Sequence, residues 1–260
     1  MCSWRLADGG IIVTFHLCHR PMSGRSRYEA LIRRCCFKEV GHSGPCSEYP
    51  YLHHLEEVAP RVAAKIKRDA TKTTGAAWKS EDAGPNRIDR WVMLLPDDNL
   101  RDMFGIDITA MKPTVQAKLR DKAATYEECM AVAAKLTWLA YQMQNAPAAP
   151  HPVQAYLEGR FGAFRPGSTR CIVCRDHLNF EAFEQAQRGR ALIETAHSNP
   201  RLHNPDNVGF AHRECNIAQG GLSLNEFYDW TRAIIERVDA EESSGIEASG
   251  SYNSTSFPND

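Results

Sequence analysis

Asn207-Val-Gly-Phe-Ala-His212-Arg-Glu-Cys215-Asn216-Ile-Ala-Gln-Gly220 is the stretch on which the reading of the C-terminal third turns. Asn207 to His212 has the apolar content of a short strand, and Arg213 to Gln219 has room for two helical turns ended by Gly220-Gly221. Upstream, Ala191 to His197 reads as another short strand. The cluster Asn199, Pro200, Asn204, Pro205 and Asp206 between the strands reads as a turn-rich loop. Downstream, Ser223 and Glu226 have capping-box spacing, which predicts a helix through Val238 with Phe227, Trp230 and Ile234 inward. Cys171-Ile-Val-Cys174 precedes all of this, so the predicted order is Cys knuckle, strand, loop, strand, short helix, long helix.

Cys171-x2-Cys174 and His212-x2-Cys215 are two pairs whose two-residue gap lets both side chains of a tight turn reach one ion. Together they supply the four N/S ligands of a closed tetrahedral zinc site. Buried thiols beside an ordinary core histidine are the plainer alternative. A Zn2+ there is structural: with every position filled by protein, no place remains for an activated water, so chemistry must sit elsewhere.

The arrangement resembles the HNH nucleases, the ββα-metal group. The residues that carry the resemblance are His197 in Glu194-Thr-Ala-His197, Asn207 in Pro205-Asp-Asn207-Val, and Asn216 in His212-Arg-Glu-Cys215-Asn216. It covers residues 168–238 and is most similar to HNH-type type II restriction endonucleases. The resemblance implies that His197 deprotonates a water and that Asn216 helps hold a catalytic Mg2+, for which Mn2+ can substitute. It also implies that Asn207 ties the loop and so aims His197, and that the substrate is double-stranded DNA. One position departs from the pattern. Many members carry an acid immediately before the catalytic His, and here that residue is Ala196. Glu194, three residues back, is predicted on the opposite strand face from His197. His203 in the loop is the rival base. A methylation-dependent or nicking HNH enzyme, or a non-catalytic zinc module that binds nucleic acid, remains an alternative reading.

Outside this region the expected class is α+β: a mainly helical N-terminal region followed by the small zinc-clipped module. The predicted divisions are a Cys/His-rich segment at 1–58, a helical DNA-recognition region at 59–165, the nuclease module at 166–240 and a disordered acidic tail at 241–260. Helices are expected over Arg61 to Ala70, after Pro113, from Thr125 with Val132, Leu136, Leu139 and Met143 on one face, and over Val153 to Phe161. Trp91 to Leu95 reads as a buried strand or helix end.

With 260 residues and 43% hydrophobic content, the chain can bury a sizeable core. A net charge of -1 argues against a polyanion partner until its distribution is read. Asp239 to Asp260 holds five acids and no Lys or Arg, which leaves the rest mildly basic. In the interval 61–80, Arg61, Lys65, Lys67, Arg68, Lys72 and Lys79 face only Asp69, a pattern suited to phosphates. A solvated helix face is the bland alternative. Arg87 and Arg90 have the chemistry for bidentate contacts to guanine.

Nine clustered cysteines without a secretory signal favour metal over disulfides. Cys36, His42 and Cys46, with Cys18 or Cys35 as a fourth ligand, form a looser second zinc candidate, against free thiols and a surface histidine. No apolar run approaches the roughly 20 residues of a membrane span. The expected location is cytoplasmic, and a homodimer is left open.

Overall fold

Three helices begin where a proline occupies the first turn, whose N–H groups have no intrahelical partner to lose. These are α2 (Pro60–Thr71), α4 (Pro113–Asp121) and α6 (His151–Phe161, with Pro152). The computed structural model describes Cys36, Lys38 and residues 46–73, 88–185 and 191–243. Within them the protein is mixed α and β, mostly helical, with one two-stranded sheet. The other helices are α1 (His53–Val58), α3 (Asp97–Phe104), α5 (Tyr126–Ala140), α7 (Phe180–Glu184), α8 (Arg213–Gln219) and α9 (Leu224–Ser243). Trp91 to Leu95, read as a strand or helix end, falls largely in a 3-10 turn at Arg90–Leu94.

The central element is α5. Thr125 Oγ1 accepts the Glu128 N–H at 3.2 Å and the Glu128 carboxylate accepts the Thr125 N–H at 2.8 Å, closing the predicted capping box. Cys129, Met130, Val132, Ala133, Ala134, Leu136, Thr137 and Ala140 are all buried. They surround the helix instead of forming one stripe, because α2, α6 and the sheet enclose it. The helix ends at Ala140, so Met143 packs from the turn beyond it. One core runs from Tyr51, Leu52 and Leu55 through Val62, Ile66 and Leu136 to Cys171, Phe183, Ile193, Phe210 and Leu224. The predicted divisions at 58 and 165 both fall within the stretch of chain that this core unites. A smaller cluster, with Val92, Met93, Leu100 and Leu119, joins the 3-10 turn to α3 and α4.

The sheet pairs β1 (Ile193–His197) antiparallel with β2 (Val208–His212), in a register that sets Ile193 opposite His212 and His197 opposite Val208. His197 thus stands at the loop end and His212 at the other. Helix α8 follows β2 directly and packs on both strands. The Cys171-to-Cys174 turn lies on β2: the Ile172 N–H donates to Phe210 O at 2.9 Å. A Cβ on Gly209 would lie 2.4 Å from Ile172 Cγ2, so this approach requires glycine.

Helix α9 opens with the predicted Ser223/Glu226 box but runs past Val238 to Ser243. Its packing differs from expectation. Trp230, predicted inward, is 54% exposed, whereas Phe227 packs on the core as expected and is joined there by Tyr228, whose hydroxyl donates to Val173 O at 2.6 Å. The core beneath α9 extends only under its first turns, so residues further along meet solvent. Among the described residues no helix is long and apolar enough to cross a membrane. The tail from 244 onward lies outside the described residues.

Candidate active site and metal-binding cluster

The ligand atoms of Cys171, Cys174, His212 and Cys215 all lie within 4.8 Å of one another. His212 Nδ1 is 3.3 Å from Cys174 Sγ and 3.9 Å from Cys215 Sγ. Sequence places the pairs on different elements, and the fold joins them because the knuckle seats on β2 and β2 ends at His212. The Cys174 N–H points at Cys171 Sγ at 3.5 Å, and Arg175 closes the turn at φ 69°, a left-handed conformation usually given to glycine. Burial opposes the Cys171 thiolate, but the backbone N–H groups of Cys174, His212 and Val173 outweigh it and hold the thiol pKa below its ordinary value. Three sulfurs and one imidazole nitrogen in this space suit zinc.

At the loop end of the sheet a cleft of about 370 Å³ is lined by His197, Thr195, Glu194, Asn216 and Gln219 on one side. Lys65, Arg68, Asp69, Lys72 and Lys122 line the other. His197 is 9% exposed, and its Nε2 lies 2.9 Å from Nδ1 of the buried His203. His203 Nε2 in turn lies 2.8 Å from Ala70 O at the end of α2. A carbonyl only accepts, so His203 carries its proton on Nε2 and presents a bare Nδ1, to which His197 Nε2–H donates. The neutral His197 ring therefore keeps its lone pair on Nδ1. Burial, reinforced by the Arg90 and Lys122 charges, lowers the His197 pKa to about 3. Burial and Arg90 lower that of His203 to about 2.

Asn207 spends its side chain on the loop. Its Nδ2 donates to Asn199 O at 2.8 Å and Leu202 O at 2.7 Å, and its Oδ1 accepts the Asn199 N–H at 2.8 Å. Gln219, which sequence reasoning passed over, donates to His197 O at 2.9 Å and Leu222 O at 3.0 Å, tying the end of α8 to the end of β1. Asn216 Nδ2 donates to Glu194 Oε2 at 2.8 Å, which leaves Asn216 Oδ1 as its remaining acceptor. The expectation that Glu194 is turned away from His197 is corrected: it lines the same cleft. Strict alternation fails here because Glu194 has a long side chain near the strand end, and α8 lies across it.

The basic residues separate into groups. Lys65 Nζ and Arg68 Nε pair with Asp69 at 3.0 and 2.7 Å, and Lys72 Nζ pairs with Asp89 at 2.7 Å. Asp69 also accepts from Thr195 Oγ1 at 3.0 Å, joining α2 to β1. Burial works against its charge, but Lys65 and Arg68 prevail and lower its pKa. Lys67 pairs with Glu56, lies over the Tyr49 ring and is absent from the cleft lining. The guanine-reading role expected of Arg90 is corrected. Arg90 is 1% exposed and donates to Lys122 O at 3.1 Å and Asp69 O at 3.0 Å, so its guanidinium is spent inside the protein. Lys79, Arg87, Cys18 and His42 lie outside the described residues. Cys36, which accepts the Ser47 N–H at 3.4 Å, is buried and Cys46 is half-buried.

The family model DraIII matches residues 48–215, which takes in the helical body, both strands and the Cys/His cluster. The chain belongs to the DraIII family. A solved structure described as that of a type II restriction endonuclease is 42% identical, with a TM-score of 0.74 over 86% of this chain and 99% of that one. No curated protein matches the chain.

Proposed function

We propose that the chain is a type II restriction endonuclease of the HNH class, which hydrolyses phosphodiester bonds of double-stranded DNA in the cytoplasm. The observation that carries the reading is a buried, neutral His197 with its lone pair on Nδ1, in a cleft rimmed by cations. In this reading residues 166–240 carry the catalytic module and residues 59–165 engage DNA. A zinc held by Cys171, Cys174, His212 and Cys215 clips the module together.

His197 Nδ1 accepts the proton of the attacking water as oxygen bonds to phosphorus, the bond to the leaving oxygen breaks, and that oxygen takes a proton from solvent. His203 is a positioning residue: it fixes the His197 tautomer. Asn207 holds the loop and Gln219 holds the His197 backbone. The oxygens of Asn216 and Glu194 are of the kind a hard cation takes. Asn216 and Glu194 would hold Mg2+ or Mn2+, which would supply positive charge to the reacting phosphate.

Incubating the protein with plasmid DNA and Mg2+, then sequencing the ends, tests the reading. Cuts at one recurring sequence are expected, and intact DNA with every divalent ion would overturn it. His203→Leu is expected to slow cleavage by about 10- to 100-fold, the usual cost of losing a supporting partner. His203→Asn places Oδ1 where Nδ1 stood and is expected to restore much of the rate. A purely packing role for His203 would leave the two variants alike at equal thermal midpoints.

DNA binding divides the basic residues. Arg68→Ala and Lys72→Ala, each in the cleft, are expected to reduce the slope of log affinity against log salt by about 0.9 for each phosphate the variant no longer neutralises. Lys67→Ala, outside the cleft, is expected to leave it unchanged. Equal slopes for all three variants would return the run to a solvated face.

A further inference from the structure

Three of the cleft's cations are matched to carboxylates: Lys65 and Arg68 to Asp69, and Lys72 to Asp89. Lys122 is different. It caps the C-terminal end of α4 and lines the cleft opposite His197, yet its ammonium has no carboxylate or hydrogen-bond partner among the described residues. Its backbone is fixed, because the buried Arg90 binds Lys122 O and Asp69 O together and so locks the ends of α4 and α2 against each other. The fold therefore fixes where the Lys122 stem begins, at the edge of the cleft that the residue lines.

This arrangement is unfavourable in the free protein. Burial lowers the Lys122 pKa, and the Arg90 guanidinium lowers it further, with Lys118 adding to the effect and only Asp121 opposing it. The two histidines nearby are held neutral and compensate nothing. A half-buried ammonium set against another cation weakens the fold, and such violations mark sites completed by a ligand. An anion entering the cleft relieves the repulsion.

We propose that Lys122 binds a non-bridging oxygen of the scissile phosphate. The proposal rests on reading the cleft as the nuclease centre. As water adds to phosphorus, negative charge grows on the non-bridging oxygens, and an ammonium carried by a residue that lines the cleft stabilises that charge. The catalytic centre is then composite. His197 and Asn216 come from the strand–strand–helix unit, and the phosphate cation comes from the end of α4, outside the region that resembles HNH nucleases.

Lys122→Gln, Lys122→Arg and His197→Ala are compared with the full-length wild type on plasmid and on a duplex spanning the mapped cut. Lys122→Gln is expected to lower the single-turnover rate by about 10²- to 10³-fold, as loss of an oxyanion donor does. Its DNA affinity is expected to stay within a few-fold of wild type, and its thermal midpoint in the absence of DNA to hold or rise. Lys122→Arg is expected to keep part of the rate. A methylphosphonate at the scissile position removes the charge that Lys122 meets, so on that duplex the Lys122→Gln penalty is expected to shrink to a few-fold.

A rate loss matched by a fall in thermal midpoint, or an undiminished penalty on the methylphosphonate, would overturn the proposal. If Lys122→Gln cuts at the wild-type rate while His197→Ala is inactive, Lys122 is excluded and the cleft reading stands. If His197→Ala also cuts normally, the cleft reading itself fails.

Discussion

His197→Ala is expected to lower the rate of DNA cleavage by about 10³-fold, within the range a positioned general base contributes. Zinc content and DNA affinity are expected to stay near wild type. The expectation rests on the tautomer. Ala70 O fixes the His203 proton, His203 Nδ1 fixes the His197 proton, and Nδ1 of His197 is left as the basic atom. His203 itself, the rival base, is excluded from that role because both its nitrogens are engaged and it is buried.

A pH signature accompanies this. An unperturbed histidine is half-protonated near pH 6.5, whereas burial and the neighbouring cations lower His197 to about 3. The acid limb of the rate profile is therefore expected below pH 6. Stability has the same origin: the unfolded chain takes up protons on these histidines as pH falls below about 6.5 and the folded chain does not. Their contribution is thus fully present above that pH and is lost progressively below it. Cleavage by His197→Ala at the wild-type rate would remove the nuclease reading of this cleft and leave nucleic-acid binding as its function.

Residues near one another in sequence made much of this module legible. Strand content around His197 and His212, the turn cluster between them, and the Gly220 stop predict strand, loop, strand and helix. The pairs at 171/174 and 212/215 announce a shared cluster through spacing alone. Contacts between distant segments carry no such local signal. Nothing in the pattern around Arg90 marks it for burial under two carbonyls from α2 and α4, so it reads as a DNA contact. Lys67 and Lys72 look unopposed in the interval 61–80 because Glu56 and Asp89 lie outside it. The alternation rule misplaces Glu194 because it has no knowledge of α8. Trp230 shows the same limit: a helical period identifies an apolar face, but not how far the core reaches beneath it.

Removing the zinc proposed at Cys171, Cys174, His212 and Cys215 is expected to unfold the C-terminal module and abolish cleavage without touching a catalytic side chain. A two-stranded antiparallel pair is marginal by itself, and here the knuckle lies against β2 through the Ile172-to-Phe210 backbone hydrogen bond, the His212 N–H to the Cys171 sulfur and the Gly209 contact. The cluster joins that knuckle to the last residue of β2 and the first turn of α8. Its loss frees β2, hence β1, hence His197. Cys171→Ser is therefore expected to cost on the order of 4–5 kcal/mol or more, a large share of the 5–15 kcal/mol typical of a whole domain. Cys129→Ala provides the contrast. That thiol is buried in α5, burial pushes its pKa up to about 12, and its loss is expected to leave the zinc content unchanged. Elemental analysis should find one zinc per chain, or two if Cys18, Cys36, His42 and Cys46 bind a second. Chelation is expected to separate the two proposed metals: Mg2+ alone should restore activity after brief treatment with a weak chelator, but not once zinc has been stripped. A metal-free protein whose β1 and β2 amides stay protected from hydrogen exchange would show that packing alone holds the module, and the cluster would then need another role.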